Sequence, residues 1–392
     1  MTAGGGQVRP LRILYVAAGT PVPGAHGGSV HVAELCAALA ARGHEVHLAA
    51  LPGTFGGRGP ERVRQHDLPR PWLPQLEWMG AGHVRAVTQK LEPDVIIERF
   101  YTFGGTGLLA AKAFRLPGVL EVNSPARSYP GSLRDWLDRL SLLRPVHRWR
   151  ERQLSLASAC YTTSVVLLPE RLQDEVRVVV NGVNLERFRP AGRGTEGAPA
   201  EGGPLQCVYV SSFRSWHAAK NLIAAVGYCL ERSVDLHVEC IGEGPQYNAA
   251  QAAASAAGLQ NHVKFLGRIP HAEVPARLAA AQVGLAPFDP SGFLALELGW
   301  FWSPIKIFEY LGSGLAVVTA DIPELRDLLP GNVAEFYAAG RPKALADVLT
   351  RLAADPGAVV RMGNEARKLA NRYSWDHQAA IVEELLASVV GG

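Results

Sequence analysis

Leu11-Arg12-Ile13-Leu14-Tyr15-Val16-Ala17 leads through the glycine-rich Gly24-Ala25-His26-Gly27-Gly28-Ser29 into Val32, Leu35, Cys36, Leu39 and Ala40 at helical spacing. The stretch reads as strand, turn and helix. A strand apolar along nearly its whole length needs cover on both faces, so it belongs to a parallel sheet flanked by helices. Working outward, Val46–Ala50, Val95–Arg99, Gly118–Val122, Ser158–Thr163 and Val176–Val180 supply further strands, with helical patterns between them.

The pattern then breaks. Arg189-Pro190-Ala191-Gly192-Arg193-Gly194 and the Gly, Ala, Pro and Glu that follow, up to Pro204, read as an interdomain linker. Beyond it the alternation restarts, with strands expected at Leu205–Val210, Asp235–Ile241, Val263–Leu266, Val283–Pro287 and Ala316–Ala320. A chain of 392 residues exceeds one ordinary hydrophobic core. The expected fold class is therefore α/β, two successive doubly wound halves: residues 1–190, a linker at 191–204, and 205–375. Ligands of such sheets bind outside the carboxyl ends of the strands, and a cleft between two facing halves is the natural site.

Composition narrows the function. Hydrophobic residues make up 48% and charged residues 19%, which excludes a disordered chain, and a net charge of +3 gives no reason to expect nucleic acid as partner. Cys36, Cys160, Cys207, Cys229 and Cys240 are odd in number and sit in apolar segments, so they read as reduced thiols and not as disulfides or metal ligands. Met1–Pro10 is polar, and no segment approaches the ~20 apolar residues of a membrane span. A cytoplasmic protein is expected.

Three segments carry chemistry. Gly24 to Ser29 opens a helix after a strand, so its backbone N–H groups could face a diphosphate; a turn that simply needs glycine is the alternative. Ser303-Pro304-Ile305-Lys306-Ile307-Phe308-Glu309-Tyr310-Leu311-Gly312-Ser313-Gly314 reads as a short helix, proline at its start and glycine past its end. Glu309 stands there among apolar residues. A buried carboxylate needs a partner, either ribose hydroxyls or Lys306 and the local backbone. Arg214, His217 and Lys220, between the first strand and helix of the second half, could neutralise a leaving diphosphate or form a solvated basic loop.

Taken together these segments resemble the retaining GT-B glycosyltransferases of family four, over nearly the whole chain. The resemblance is carried by His26-Gly27-Gly28; by Val178 to Asn184 with Phe188 and Pro190; by Ile241-Gly242-Glu243-Gly244-Pro245 followed by Val263 to Gly267; and by Ser303 to Gly314. Tyr373-Ser374-Trp375 matches the point where that family's last helix crosses back, so 376–392 would pack on the first domain. The resemblance implies two Rossmann-like domains facing across a cleft. It further implies that Glu309 binds the nucleotide ribose, Gly27 and Gly28 approach the donor phosphates, Arg268 lies by the base pocket, and Pro304 and Ile305 start the helix at the donor. No metal or other cofactor would be required.

Departures accompany the matches. Phe301 stands where the family's first motif Glu touches the donor sugar, leaving Trp300-Phe301-Trp302-Ser303 to shape the sugar pocket. Ser212 and His217 replace a usual Arg and Lys, with Arg214 and Lys220 nearby as substitutes. Asn123 stands where many relatives have His, and is expected to hydrogen-bond sugar or acceptor. The implied reaction moves a hexose from a nucleotide-diphosphate sugar, UDP- or GDP-linked, to an acceptor hydroxyl with retention of configuration. Asn123, Arg214 and Lys306 would serve the reacting centre. The acceptor, a small molecule, glycan or lipid-linked sugar, is not readable. Leu133 to Leu156 mixes leucine and tryptophan with arginine, so peripheral contact with the inner face of a membrane stays open beside plain packing on the first domain. Two alternatives also stay open: a non-catalytic GT-B subunit and a sugar-nucleotide 2-epimerase.

Overall fold

The computed structural model describes residues 9–24, 26–53, 60, 62–70, 72, 80–125, 136, 144–174, 176–190, 203–291, 293 and 299–391. The chain forms two compact units. The first comprises Met1–Gly182, Leu294–Ser303 and Trp375–Gly392; the second comprises Val183–Phe293 and Pro304–Ser374.

In the first unit β1 (Arg12–Val22), β2 (Glu45–Pro52), β3 (Val63–Asp67), β4 (Val95–Arg99), β5 (Gly118–Val122), β6 (Ala159–Thr162) and β7 (Arg177–Val178) form one parallel sheet in the order β3-β2-β1-β4-β5-β6-β7. Ile13 pairs with Val46 on one side and Val95 on the other. Helices α1 (Gly27–Ala41), α2 (Ala81–Leu91), α3 (Thr106–Phe114) and α4 (Arg144–Leu156) alternate with the strands. Leu35, Cys36 and Leu39 of α1 share a core with Ile13, Tyr15, Val46 and Ile97.

The second unit repeats the plan. β8 (Leu205–Val210), β9 (Leu236–Ile241), β10 (Val263–Gly267), β11 (Val283–Ala286), β12 (Ala316–Ala320) and β13 (Ala334–Tyr337) run parallel in the order β10-β9-β8-β11-β12-β13. Its helices are α5 (Ala219–Glu231), α6 (Tyr247–Ala256), α7 (Val274–Ala279), α8 (Ile305–Gly312), α9 (Pro323–Leu328), α10 (Pro342–Ala354) and α11 (Pro356–Leu369). In both sheets the order reverses beside the first strand, between β1 and β4 and between β8 and β11. Each unit is thus a doubly wound, Rossmann-like sheet.

The chain divides at Gly182, eight residues ahead of the Pro190 boundary expected from composition. The reason is that Val183 bridges to Ser374 and Arg367 donates to the Leu185 and Phe188 carbonyls, which ties this stretch into the second unit. Gly182 must be glycine, because a Cβ there would lie 2.8 Å from the Trp375 ring. Most of the expected linker falls outside the described residues, as does Ala25. The last helix, α12 (Trp375–Val390), begins at that tryptophan. It packs on α1 through Trp375, Ala379, Val382 and Leu386. Arg42 reinforces the pair, 2.6 Å from Glu383 and 2.9 Å from Asp376.

Two strands were not anticipated, β3 and β13, and both are sheet edges. β3 lies inside Pro52–Gly80, a stretch rich in Pro, Gly and Arg. Arg64, Gln65, His66 and Asp67 carry no apolar run because an edge strand meets water. The run Val176–Val180 shortens to the two exposed residues of β7 for the same reason. Pro145 falls in the first turn of α4, where proline is tolerated, so that helix begins at Arg144. Four cysteines are buried and Cys160 is half-buried, all five as free thiols. Among the described residues no helix is long and apolar enough to cross a membrane.

The first sheet is pinned by charge at its centre. The Glu121 carboxylate of β5, 1% exposed, accepts from the Tyr15 hydroxyl of β1 and, at 2.9 Å, from Tyr161 of β6; it pairs with the Arg99 guanidinium of β4, and His31 Nε2 of α1 lies 3.2 Å away. Burial alone would raise this carboxyl, but Arg99 and His31 outweigh it and hold it far below the usual range. A group depressed when folded stabilises above its unfolded value of about 4.3, and that contribution fades as the pH falls below it. Glu121→Ala should therefore cost about 3–5 kcal/mol by urea unfolding at pH 7, because it strands the buried Arg99. A loss under about 1 kcal/mol would show that the sheet does not depend on this carboxylate.

Candidate functional site

In the second unit the chemistry gathers around α8. Tyr310 locks that helix into the crevice where the strand order reverses: its hydroxyl accepts from Val210 N of β8 at 2.9 Å and donates to Leu285 O of β11 at 3.2 Å. The ring lies so close on β11 that a Cβ at Gly284 would be 2.4 Å from it. Ile307, Phe308 and Leu311 are fully buried. Pro304 is the N-cap, with an extended backbone, and no side chain caps the first turn from Ile305 onward. Ile307 N donates to the Pro304 carbonyl at 2.9 Å, so a ligand's acceptors would meet the N–H groups ahead of it.

Glu309 is 5% exposed, and its Oε1 lies 2.9 Å from His271 Nε2. His271 was not singled out from the sequence. It follows β10 and stacks obliquely beside Phe188, ring centroids 5.8 Å apart. Lys306 sets its ammonium 5.2 Å from the Tyr209 ring and 5.3 Å from Phe288. Burial lowers its pKa to about 7, against the raising influence of Glu309.

The loop after β8 wraps against this helix. His217 Nδ1 lies 3.0 Å from Ser211 Oγ, and the Tyr209 hydroxyl donates to the His217 carbonyl at 2.8 Å. Burial first, then Lys306 and Arg214, press the His217 pKa down to about 2. His217 is therefore a neutral hydrogen-bonding group, and the positive charge of the expected basic cluster rests on Arg214 and Lys220, both exposed. Gly242, at φ +112°, lets the turn after β9 approach Ser211: a Cβ there would lie 1.9 Å from the Ser211 carbonyl oxygen. Glu243 pairs with exposed Arg268 at 3.5 Å. Ser211, Glu243, Arg268, His271, Lys306 and Glu309, spread over a hundred residues of sequence, thus meet at the carboxyl ends of β8, β9, β10 and β11.

The first unit offers a second group of expected residues. Gly27 and Gly28 begin α1, with His26 as N-cap accepting from Ser29 N at 3.2 Å. The Arg99 guanidinium reaches this end: one of its nitrogens lies 3.6 Å from where a Cβ on Gly28 would stand. Burial, then Arg99, lowers the His26 pKa. Asn123 is half-buried just past the end of β5. Phe301 is buried and Trp302 half-buried, 5.0 Å apart by ring centroid, and both cluster with the first unit; Pro304, Ile305, Lys306 and Glu309 belong to the second. Ser303 Oγ accepts from Asn181 N at 2.7 Å, and Asn181 Oδ1 lies 2.7 Å from His31 Nδ1. Polar contacts therefore run from Glu121, 3.2 Å from His31, through Asn181 to Ser303. Arg99 and Glu121 were missed as functional candidates. The signal was available, since each is a charged residue in a strand expected to be buried.

Comparison with known proteins agrees with this geometry. The family model described as glycosyltransferase family 4 matches residues 25–187, and the one described as glycosyl transferases group 1 matches 204–355, together most of the chain. A 2-deoxystreptamine glucosyltransferase of Streptomyces kanamyceticus is 26% identical over 65% of this chain and 66% of its own length, so the match spans just under two thirds of that relative. A glycosyltransferase structure from Rickettsia africae superposes with a TM-score of 0.74 at 15% identity, covering 97% of this chain and 99% of that one. Anabaena HepE in complex with UDP-glucose does so at 0.71 and 17%, covering 96% and 100%. The two Rossmann-like units are those of a GT-B glycosyltransferase. The chain belongs to glycosyltransferase family 4, the group 1 glycosyl transferases.

The Lys306 environment has a measurable sign. An unfolded lysine titrates near 10.4 and this one near 7, so between those values the unfolded chain binds more protons and stability rises with pH. Lys306→Met should flatten that slope in the unliganded protein and raise its urea midpoint most at pH 6. Equal pH slopes in the two proteins would contradict the burial of this cation.

Proposed function

We propose that the chain transfers a hexose from a UDP- or GDP-linked donor to an acceptor hydroxyl, with retention of anomeric configuration and without a divalent metal. The observation that carries this is Glu309: a nearly inaccessible carboxylate at the carboxyl ends of the strands, bonded to His271 and one helical turn from Lys306, whose ammonium feels its charge. A carboxylate there accepts hydrogen bonds from vicinal ribose hydroxyls, while the N-terminus of α8 and Lys306 receive the diphosphate. Arg214 and Lys220 add positive charge, His217 a neutral hydrogen bond, and Arg268 borders the base. Gly27 and Gly28 supply backbone N–H groups to the phosphates, Asn123 bonds sugar or acceptor, and Phe301, Trp302 and Ser303 shape the space for the hexose.

Charge develops on the leaving diphosphate as the bond from the anomeric carbon to phosphate oxygen breaks. Fixed cations and helix dipoles stabilise it, as a metal ion would elsewhere. The acceptor oxygen bonds to the anomeric carbon on the face the diphosphate leaves, and its proton passes to a diphosphate oxygen. No protein base is needed. The glucosyl donor class is supported by the UDP-glucose held by HepE, and a polar small-molecule acceptor by the name of the Streptomyces enzyme. Lys306 and Glu309, both in place, weigh against the non-catalytic subunit, and no observation favours a 2-epimerase. The proposed location is the cytoplasm.

Steady-state assays with nucleotide sugars in EDTA, with product followed by proton NMR, test this reading. The α-linked donor should give an α-linked product, and Glu309→Ala should raise the donor KM at least about tenfold, the equivalent of ~1.4 kcal/mol. An inverted product would refute the stereochemistry, and unchanged donor KM in Glu309→Ala would refute the ribose assignment.

A further inference from the structure

At the opposite end of the second sheet, away from α8, Asp235, His237 and His262 each present a ligand atom, all within 4.8 Å of one another. The register explains the grouping. Val238 of β9 pairs with Val263 of β10, so His237 and His262, one residue earlier on each strand, are lateral neighbours on one face. Asp235, two residues before His237, falls on that same face by the two-residue period of a strand. The imidazole centroids are 5.6 Å apart.

The His262 tautomer is also set. Its Nδ1 lies 3.1 Å from the Leu236 carbonyl oxygen, which can only accept, so Nδ1 carries the proton and Nε2 the lone pair. A backbone carbonyl orienting one ring nitrogen is the usual outer partner of a metal-bound histidine. Two residues further along the two strands, Lys264 pairs with Glu239 at 3.8 Å, and Arg277 of α7 pairs with the same carboxylate at 3.5 Å.

We propose that Asp235, His237 and His262 form a binding site for a divalent transition metal, zinc foremost, in which two imidazoles and a carboxylate leave one position for water. The site joins β9 to β10, the strand at the sheet's edge. β10 also leads, past Gly267, into Arg268 and His271. The metal thus clamps one end of an edge strand whose other end feeds the Glu309 contact. Lying at the amino ends of the strands, it takes no part in sugar transfer, and the inference stands or falls independently of the proposed activity.

Untagged full-length protein, stripped with chelator and dialysed, should bind one equivalent of zinc with a micromolar or tighter Kd by calorimetry. Cobalt should give visible absorption of a low-coordinate site, and saturating zinc should raise Tm. His262→Ala and His237→Ala, each with unchanged far-UV circular dichroism, should weaken zinc at least about tenfold. Asp235→Asn should do so less severely. No stoichiometric binding at 100-fold excess over micromolar zinc, roughly 100 µM, or equal binding by wild type and both histidine variants, would overturn the proposal.

Discussion

The Glu121 carboxylate lies out of reach of water at the centre of the first sheet, and four elements are arranged to keep it charged. Tyr15, Arg99 and Tyr161 bring β1, β4 and β6 to it, and His31 brings α1. Such a group fixes more than stability, because its partners can be satisfied in one strand register alone. It also sets where Arg99 can stand, which is beside the first turn of α1. Nearby, Glu98 does related service, accepting from Gly105 N and Gly107 N and so capping α3; a Cβ on Gly107 would lie 2.5 Å from that carboxylate. Adjacent residues of one strand thus brace both helix starts.

The second unit applies the same constraint with less polar material. Tyr310 ties α8 to the strands on either side of the switch point, and glycine at 284 leaves space for its ring. With the helix fixed, Glu309 and Lys306 have little freedom. One is held by His271, the other lies between aromatic faces. Burying a carboxylate and half-burying an ammonium costs folding free energy that an apolar pair would not. The arrangement makes sense where an anionic, hydroxyl-bearing ligand recovers that cost on binding. Its diphosphate would favour the charged form of Lys306, and its ribose would offer hydrogen-bond donors to Glu309.

Central strands were legible in the sequence because parallel strands buried on both faces are near-continuous apolar runs; β1, β2, β4, β5, β8, β11 and β12 fall where such a run stands, while β9 alternates instead, with His237 and Glu239 half-buried. The edge strands β3 and β13 were not, since one flank is open and no unbroken apolar run remains. α8 was legible from Pro304 at its start and Gly314 past its end, and Glu309 stood out as a carboxylate among apolar residues. His271 was not, because it meets Glu309 only through the tertiary fold. Nor were His237 and His262, which lie 25 positions apart and become neighbours only through the register of β9 and β10. Charge state was the least legible property. His217 sits in a run that reads as basic, yet burial holds it neutral, and no spacing rule carries that information.

The most direct test of the account is a calorimetric titration of the purified protein, in EDTA, with UDP, GDP, TDP and ADP and their hexose derivatives. The account predicts that one uracil or guanine nucleotide binds with a micromolar Kd. At pH 8 its binding should take up protons as Lys306 becomes charged, giving heats that change with the ionisation enthalpy of the buffer. Absence of binding to any of them at millimolar concentration would contradict a nucleotide-sugar site at α8.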